Sequence, residues 1–155
     1  MKVKFLLFFA CLCSFMGAWA QDFGLSLNIS TANQATINYD AASGIYTITT
    51  TGEDPFVSIN ALTSALPDDQ CVLTFDYQCA PATTGGLQIF FSPTYSEARS
   101  IKCADLANTS EWTTFSKEMK NTISNLGWGA AKSVMRIDWG GRSGVTIKVK
   151  NLRFR

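Results

Sequence analysis

The 155-residue sequence contains no histidine, which excludes several kinds of catalytic and metal site. Without an imidazole there is no Ser-His-Asp or Cys-His nucleophile, and the common histidine-based zinc sites cannot form. The sequence also has no CxxC spacing, no GxGxxG loop and no P-loop. These absences argue against thiolate zinc sites, nucleotide-binding loops and hydrolases of the triad type.

Charged residues are scarce, at 16% of the chain, and the formal net charge is +1. Loss of residues 1–20 would remove two of the 13 basic residues and leave 13 − 2 = 11 of them against 12 acidic ones. Nucleic-acid binding relies on clustered positive charge, so a near-neutral mature chain argues against a nucleic-acid partner. A single domain of this size buries about two-thirds of its unfolded surface and needs no metal to fold.

The N-terminal segment has the pattern of a secretory signal peptide. Two lysines precede the apolar run FLLFFACLCSFM, and an A-x-A-like cleavage site follows it. The run is shorter than the about 20 residues that span a bilayer. We therefore predict a signal peptide at residues 1–20 and one domain at residues 21–155. The mature protein is expected to be secreted, periplasmic or at the cell surface, with no membrane insertion.

Three cysteines remain after the signal: Cys71, Cys79 and Cys103. The first two sit at the ends of one predicted strand, about 26 Å apart, which is beyond the reach of a disulfide. Any intrachain bridge must therefore include Cys103. Three buried thiols are the equally open alternative.

Period-two hydrophobic patterns dominate the rest of the chain. In CVLTFDYQC, for example, Leu73, Phe75 and Tyr77 alternate with polar residues, and glycine- or proline-containing turns separate the runs. The stretch from Ser116 to Leu126 also fits a helix, but its alternation favours a strand end followed by one helical turn. We predict an all-β antiparallel sandwich of eight or nine strands with at most one short helical turn.

The order of these motifs resembles a known group of proteins. TTGEDPFVSI, LTFDYQC, LQIFFSP, EWTTFSKEM, MRIDWG and IKVKNLRFR are similar to strand motifs of carbohydrate-associated, galactose-binding-like jelly-roll modules. Such modules occur in exported proteins of polysaccharide-degrading bacteria. The resemblance covers about residues 33 to 155 and implies a non-catalytic module that binds a polysaccharide or an oligosaccharide.

Three aromatic residues are the first candidates for sugar binding. Trp112, Trp128 and Tyr95 lie in or beside loops, outside the strict core alternation. Exposed aromatic rings stack on the apolar C–H face of a pyranose. The alternative is that each ring covers an end of the sandwich. Phe90 shares a face with Gln88 and is either an exposed platform or a second layer of core.

Arg136 and Asp138 raise the question of a polar cleft. They alternate with Met135, Ile137 and Trp139 in SVMRIDW, so they share one face of a strand. We expect this strand to form a hairpin with the following GVTIKVKNLRF, which would set Arg136 and Asp138 opposite lysines and a threonine. A solvated sheet face is the default interpretation. The alternative is a ligand cleft to which Asp76 and Gln78 or Gln88 contribute.

No cofactor is predicted. The carboxylates Asp76, Glu111 and Asp138 form no recognisable pair for glycoside hydrolysis, and the loop acids Asp40, Glu53 and Asp54 form no legible calcium ligand series. Lys148, Lys150, Arg153 and Arg155 make a basic edge, which either binds acidic groups or discourages edge-to-edge pairing. The preferred function is weak carbohydrate binding by an exported, non-catalytic module. The alternative is a structural or protein-interaction domain at the cell surface, bound to another exported protein.

Overall fold

The computed structural model describes residues 22–155, and its architecture is a β-sandwich. The predicted signal peptide lies outside the described residues. The described elements, in chain order, are β1 (Phe23–Gly24), β2 (Leu27–Asn33), β3 (Ala35–Asp40), β4 (Ile45–Thr50), β5 (Phe56–Ile59), β6 (Val72–Ala80), β7 (Gln88–Phe91), β8 (Ser100–Lys102), β9 (Thr109–Glu118), α1 (Lys120–Leu126), β10 (Met135–Asp138) and β11 (Thr146–Phe154).

The strands form two antiparallel sheets. The six-stranded sheet has the order β3-β4-β11-β6-β9, with β1 paired to the end of β11. The five-stranded sheet has the order β2-β5-β10-β7-β8. This arrangement confirms the prediction of an all-β antiparallel sandwich.

The core lies between the sheets and follows from the alternation in the sequence. Successive side chains of a strand point to opposite faces, so every second residue is buried. Ile147 on the six-stranded sheet and Ile137 on the five-stranded sheet are both 0% exposed. The inward-facing residues of the two sheets belong to one hydrophobic cluster, which includes Ile48, Val57, Leu73, Phe75, Ile89, Phe91, Met135, Val149 and Phe154.

Strand pairing differs from the sequence-based prediction at the C-terminus. The hairpin of β3 and β4 is confirmed, with Ile37 opposite Ile48. The expected hairpin of β10 and β11 is wrong, because β10 pairs with β5 and β7 while β11 pairs with β4 and β6. The short loop between β10 and β11 therefore crosses from one sheet to the other. Alternation determines which face of a strand is buried, but it does not determine which sheet the strand joins, because both sheets have an apolar inner face.

The described residues contain two strands more than the sequence patterns indicated. These are β1, which has two residues, and β2, whose pairing with β5 is interrupted by a register shift between Asn28 and Asn33. Such a shift breaks the period-two pattern by which strands are recognised.

The helical and strand patterns near residue 119 are both realised, in succession. Strand β9 ends at Glu118, and α1 then runs for seven residues to Leu126. Gly127 ends the helix in the left-handed conformation, with φ of 60°. Met119 and Ile123 are buried against the sandwich. The helix is thus somewhat longer than the single turn that we predicted.

The three cysteines within residues 22–155 are free thiols. Cys71 and Cys79 are buried, and Cys103 is partly buried. Burial is the main cause that raises the pKa of each thiol above its ordinary value of 9.0. Of the two alternatives left open by the sequence, the structure has the unbridged one.

Candidate functional site

Four of the predicted binding residues come together on the outer face of the five-stranded sheet. Arg136 and Asp138 point outward from the central strand β10. Asp138 lies opposite Gln88 of β7 and Phe56 of β5. Arg136 lies opposite Phe90 of β7. We call this surface, formed by Phe56, Gln88, Phe90, Tyr95, Arg136 and Asp138, the Tyr95 face.

A bidentate ion pair forms the centre of the Tyr95 face. Arg136 Nε donates to Asp138 Oδ1 at 2.7 Å, and Arg136 Nη2 donates to Asp138 Oδ2 at 2.6 Å. The two side chains are only 18% and 14% exposed. Burial raises the pKa of Asp138 above its ordinary value of 3.8, and the hydrogen bonds and charge of Arg136 oppose this rise without cancelling it.

Three aromatic rings surround the guanidinium. The Arg136 Cζ atom lies 4.0 Å from the ring centroid of Phe56, 4.6 Å from that of Phe90 and 5.6 Å from that of Tyr95. Phe90 is buried, whereas Tyr95 is 40% exposed. Phe90 is therefore a second layer of apolar packing beneath Arg136, and Tyr95 offers the accessible ring.

The loop that carries Tyr95 is anchored by Arg99. Its guanidinium donates to the carbonyls of Phe91 at 3.3 Å, Ser92 at 2.6 Å and Leu126 at 3.1 Å. These bonds tie the two ends of the segment between β7 and β8 to each other and to the end of α1. Tyr95 is thereby held beside the ion pair.

Gln88 begins a polar rim along one side of the Tyr95 face. Its Nε2 donates to Glu97 Oε2 at 3.1 Å and to Ser100 Oγ at 2.8 Å. Glu97 also forms an exposed ion pair with Lys102 at 3.4 Å. The face therefore combines an exposed ring, a rigid ion pair and a row of amide, hydroxyl and carboxylate groups.

Trp112 and Asp76 are on the opposite side of the molecule. Both point outward from the six-stranded sheet, where Asp76 pairs in register with Thr114. The expectation that Asp76 and Gln78 join Arg136 in one cleft is wrong, because β6 and β10 belong to different sheets. The same separation keeps Asp76 and Asp138 from acting as a carboxylate pair.

Trp128 is not an exposed platform. It is 5% exposed, and its Nε1 donates to the Val134 carbonyl at 3.0 Å. Its ring packs against Phe91 and Phe154, with centroids 5.0 Å and 5.8 Å away. Trp128 closes one end of the core, which is the alternative that the sequence left open for each loop aromatic.

Sequence reasoning missed two residues, Phe56 of the Tyr95 face and Arg99, which anchors the loop that carries Tyr95. Phe56 could have been found, because it alternates with the buried residues Val57 and Ile59 in a four-residue strand. Arg99 could not, because its acceptors are backbone carbonyls that adjoin only in the folded chain.

Metal-binding clusters and membrane-spanning helices are both absent from residues 22–155. No group of three or more Cys, Asp or Glu side chains there is arranged to hold a metal ion. No helix in that part of the chain is long and apolar enough to cross a membrane.

Comparisons with known proteins find proteins of similar fold and no relative by sequence. No protein-family model and no curated protein matches the sequence. Among solved structures, a family 29 carbohydrate-binding module from Piromyces equi superposes with a TM-score of 0.57 at 11% identity, over 84% of this chain and 79% of the module. An arginine-to-alanine variant of a second family 29 module, made to probe ligand recognition, gives 0.52 at 18% identity, over 85% and 81%.

A third similar structure is a lysine-to-alanine variant of that second module in complex with cellulohexaose. It gives a TM-score of 0.50 at 16% identity, over 84% of this chain and 80% of the module. At such low identity the likeness concerns the fold. The chain is an antiparallel β-sandwich with the architecture of family 29 carbohydrate-binding modules.

Proposed function

We propose that this protein is an exported, non-catalytic module that binds a glycan weakly on the Tyr95 face. The observation that carries the proposal is the exposed Tyr95 ring beside the partly buried Arg136–Asp138 ion pair. Export is inferred from the signal-peptide pattern of residues 1–20.

The two parts of the face suit the two kinds of surface on a sugar. The apolar C–H face of a pyranose stacks on an aromatic ring such as Tyr95. Its hydroxyl groups, often in adjacent pairs, are matched by planar groups that donate or accept two hydrogen bonds. Arg136 and Asp138 of β10 and Gln88 of the adjacent strand β7 supply such groups.

The surrounding contacts make these groups rigid before a ligand arrives. Phe56 and Phe90 pack against the guanidinium, and the ion pair fixes the carboxylate. A preorganised site loses less side-chain entropy on binding, so more of the contact energy is available for affinity.

The electrostatics of Asp138 point in the same direction. Its raised pKa shows that the ionised carboxylate is incompletely compensated for burial. A ligand hydroxyl that donates to this carboxylate supplies part of that compensation. A partly buried ion pair gives little net stability over apolar residues, so stability alone does not account for it.

The similar solved structures suggest the first ligand to test. One of those modules was solved with cellulohexaose, and an arginine was replaced in another to probe recognition. We therefore propose a neutral β-glucan chain as the ligand class, with several sugar units lying across β7, β10 and β5.

Affinity gel electrophoresis on a panel of soluble glucans, followed by calorimetry with cellohexaose, tests this proposal. We expect a dissociation constant of about 0.1–1 mM, corresponding to about −4 to −5.5 kcal/mol. Tyr95→Ala and Asp138→Asn are each expected to weaken binding about tenfold or more.

The matched control is Tyr39→Ala, because Tyr39 is also an exposed tyrosine, at 44%, but lies on the other sheet. It is expected to bind like the wild type. If no glucan or other neutral glycan is retained, the proposal fails and the protein-interaction alternative takes precedence.

A further inference from the structure

The outer face of the six-stranded sheet carries a second exposed aromatic ring. Trp112 on β9 is 36% exposed, and Lys150 Nζ lies 4.0 Å from its ring centroid. Since Lys150 belongs to β11, two strands away, this contact places both side chains on the outer surface. We call the surface formed by Asp76, Gln78, Trp112, Thr114, Lys148 and Lys150 the Trp112 face.

The carboxylate of this face is already occupied by neighbouring donors. Thr114 Oγ1 donates to Asp76 Oδ1 at 2.8 Å, and Asn151 Nδ2 donates to Asp76 Oδ2 at 2.7 Å. Partial burial raises the pKa of Asp76, but these two bonds, with the charges of Arg153 and Lys150, outweigh it and lower the pKa below 3.8. Asp76 of β6 is therefore an ionised group that links its strand to Thr114 of β9 and Asn151 of β11.

Of the two lysines, Lys148 is exposed and Lys150 rests on the Trp112 ring. Within residues 22–155, neither Lys148 nor Lys150 forms an ion pair with a carboxylate. Arg153 differs from them, because its Nε lies 2.8 Å from Asp22 Oδ2, in a contact too poorly aligned for a directed hydrogen bond. Lys148 and Lys150 alternate along β11, so their ammonium groups share the outward side of the strand.

A hollow of about 210 Å³ adjoins Lys148. Its walls include Gln78, Ser110, Thr146 and Lys148, and Ser110 is only two residues from Trp112. Gln78 Nε2 donates to the Ser110 carbonyl at 2.6 Å, which braces one side. Pockets for drug-sized ligands measure about 300–1,000 Å³, so this hollow suits a single sugar unit.

We propose that the Trp112 face is a second glycan-binding site, specific for a saccharide that bears carboxylate groups, such as a polyuronate. The indole stacks on one uronate ring, and Lys148 and Lys150 bind carboxylates on that ring and the next. Lys150 moves off the indole as the sugar arrives, which requires breaking only a weak cation–π contact on an exposed ring. The site shares no residue with the Tyr95 face, so the two proposals stand or fall separately.

Affinity electrophoresis of the full protein in gels containing polygalacturonate, with calorimetry on oligogalacturonides, tests the site. Trp112→Ala is expected to weaken binding about tenfold or more, and Trp112→Phe, which keeps a ring, to restore most of it. Lys148→Gln and Lys150→Gln are each expected to weaken binding several-fold and to reduce its dependence on salt concentration. Tyr95→Ala is the control and should leave polygalacturonate binding unchanged.

Three results would overturn the proposal. The first is no retardation by polygalacturonate at low salt. The second is loss of that binding in Tyr95→Ala, which would assign it to the opposite face. The third is equal binding of polyglutamate, which carries carboxylates without sugar rings and would reduce the face to a general anion-binding surface. Unchanged unfolding temperatures of the variants show that any loss of binding is local.

Discussion

Replacement of Arg136 by alanine is expected to destabilise the fold by about 2–3 kcal/mol, because it leaves Asp138 without its partner. The pair is held by two short bonds, of 2.7 Å and 2.6 Å, and each side chain is more than four-fifths buried. The change also removes the cover over Phe90, which is 7% exposed in the folded protein.

The magnitude follows from these contacts. Removal of one member of a fully buried ion pair costs about 3–5 kcal/mol, and the residual solvent access of this pair reduces that figure. The stacking of the guanidinium on Phe56 and Phe90 adds about 0.5–1 kcal/mol for each contact at a partly exposed site. Rearrangement of the Asp138 side chain towards water recovers part of the loss, which gives the expected net value.

Urea unfolding followed by tryptophan fluorescence measures this change, and thermal unfolding should show a decrease of about 8–12 °C. The matched variant Arg136→Met/Asp138→Leu removes both charges and is expected to lie within about 1 kcal/mol of the wild type. A cost below about 0.5 kcal/mol for Arg136→Ala, or an equal cost for the double variant, would show that Asp138 does not depend on its partner.

Three further predictions concern the packing of the core, the pH dependence of stability and the oxidation state of the cysteines. Trp128→Ala should lower the free energy of unfolding, measured with urea, by about 3–5 kcal/mol, because a buried ring and its hydrogen bond to Val134 are lost. A decrease of less than about 1 kcal/mol would contradict the place of Trp128 in the core. Burial raises the pKa of Asp138 above 3.8, so the native state releases this proton at a higher pH than the unfolded chain does. The free energy of unfolding of the wild type relative to Asp138→Asn should therefore fall as the pH rises from below 3.8 to neutrality. An increase of this free energy over the same range would contradict a raised pKa of Asp138. Intact-mass analysis after alkylation in denaturant without reductant should find all three cysteines modified, whereas a bridge would protect two.

Much of the fold was predictable because burial alternates along the strands. The patterns around Leu73, Ile89, Ile137 and Ile147 place each of these residues in the core, as the structure confirms. Pairing partners were less predictable, since period two specifies a face and not a neighbour. The strand that follows β10 in sequence was therefore assigned to it wrongly, although the chain crosses to the other sheet there.

The same distinction between the face of a strand and its neighbouring strands applies to the candidate site. Arg136 and Asp138 were correctly placed together on one face, because two positions on one strand share a side whatever the strand pairs with. Gln88 joins them only because β7 pairs with β10, and Asp76 does not because β6 lies in the other sheet. The sequence left two interpretations of Trp128 open for a different reason. A tryptophan between two glycines in a loop is compatible with either an exposed ring or a plug in the core, and only packing distinguishes them.

Sugar binding on the Tyr95 face can be tested directly by titrating the isotope-labelled protein with cellohexaose and following the titration by NMR. If the Tyr95 face binds the sugar, the backbone signals of Gln88, Tyr95 and Asp138 and the side-chain Nε signal of Arg136 will shift together and saturate. Signals from Trp112 and Lys150 should remain in place. Shifts confined to the Trp112 face, or no shifts with any neutral glycan, would contradict the claim that the Tyr95 face binds sugar.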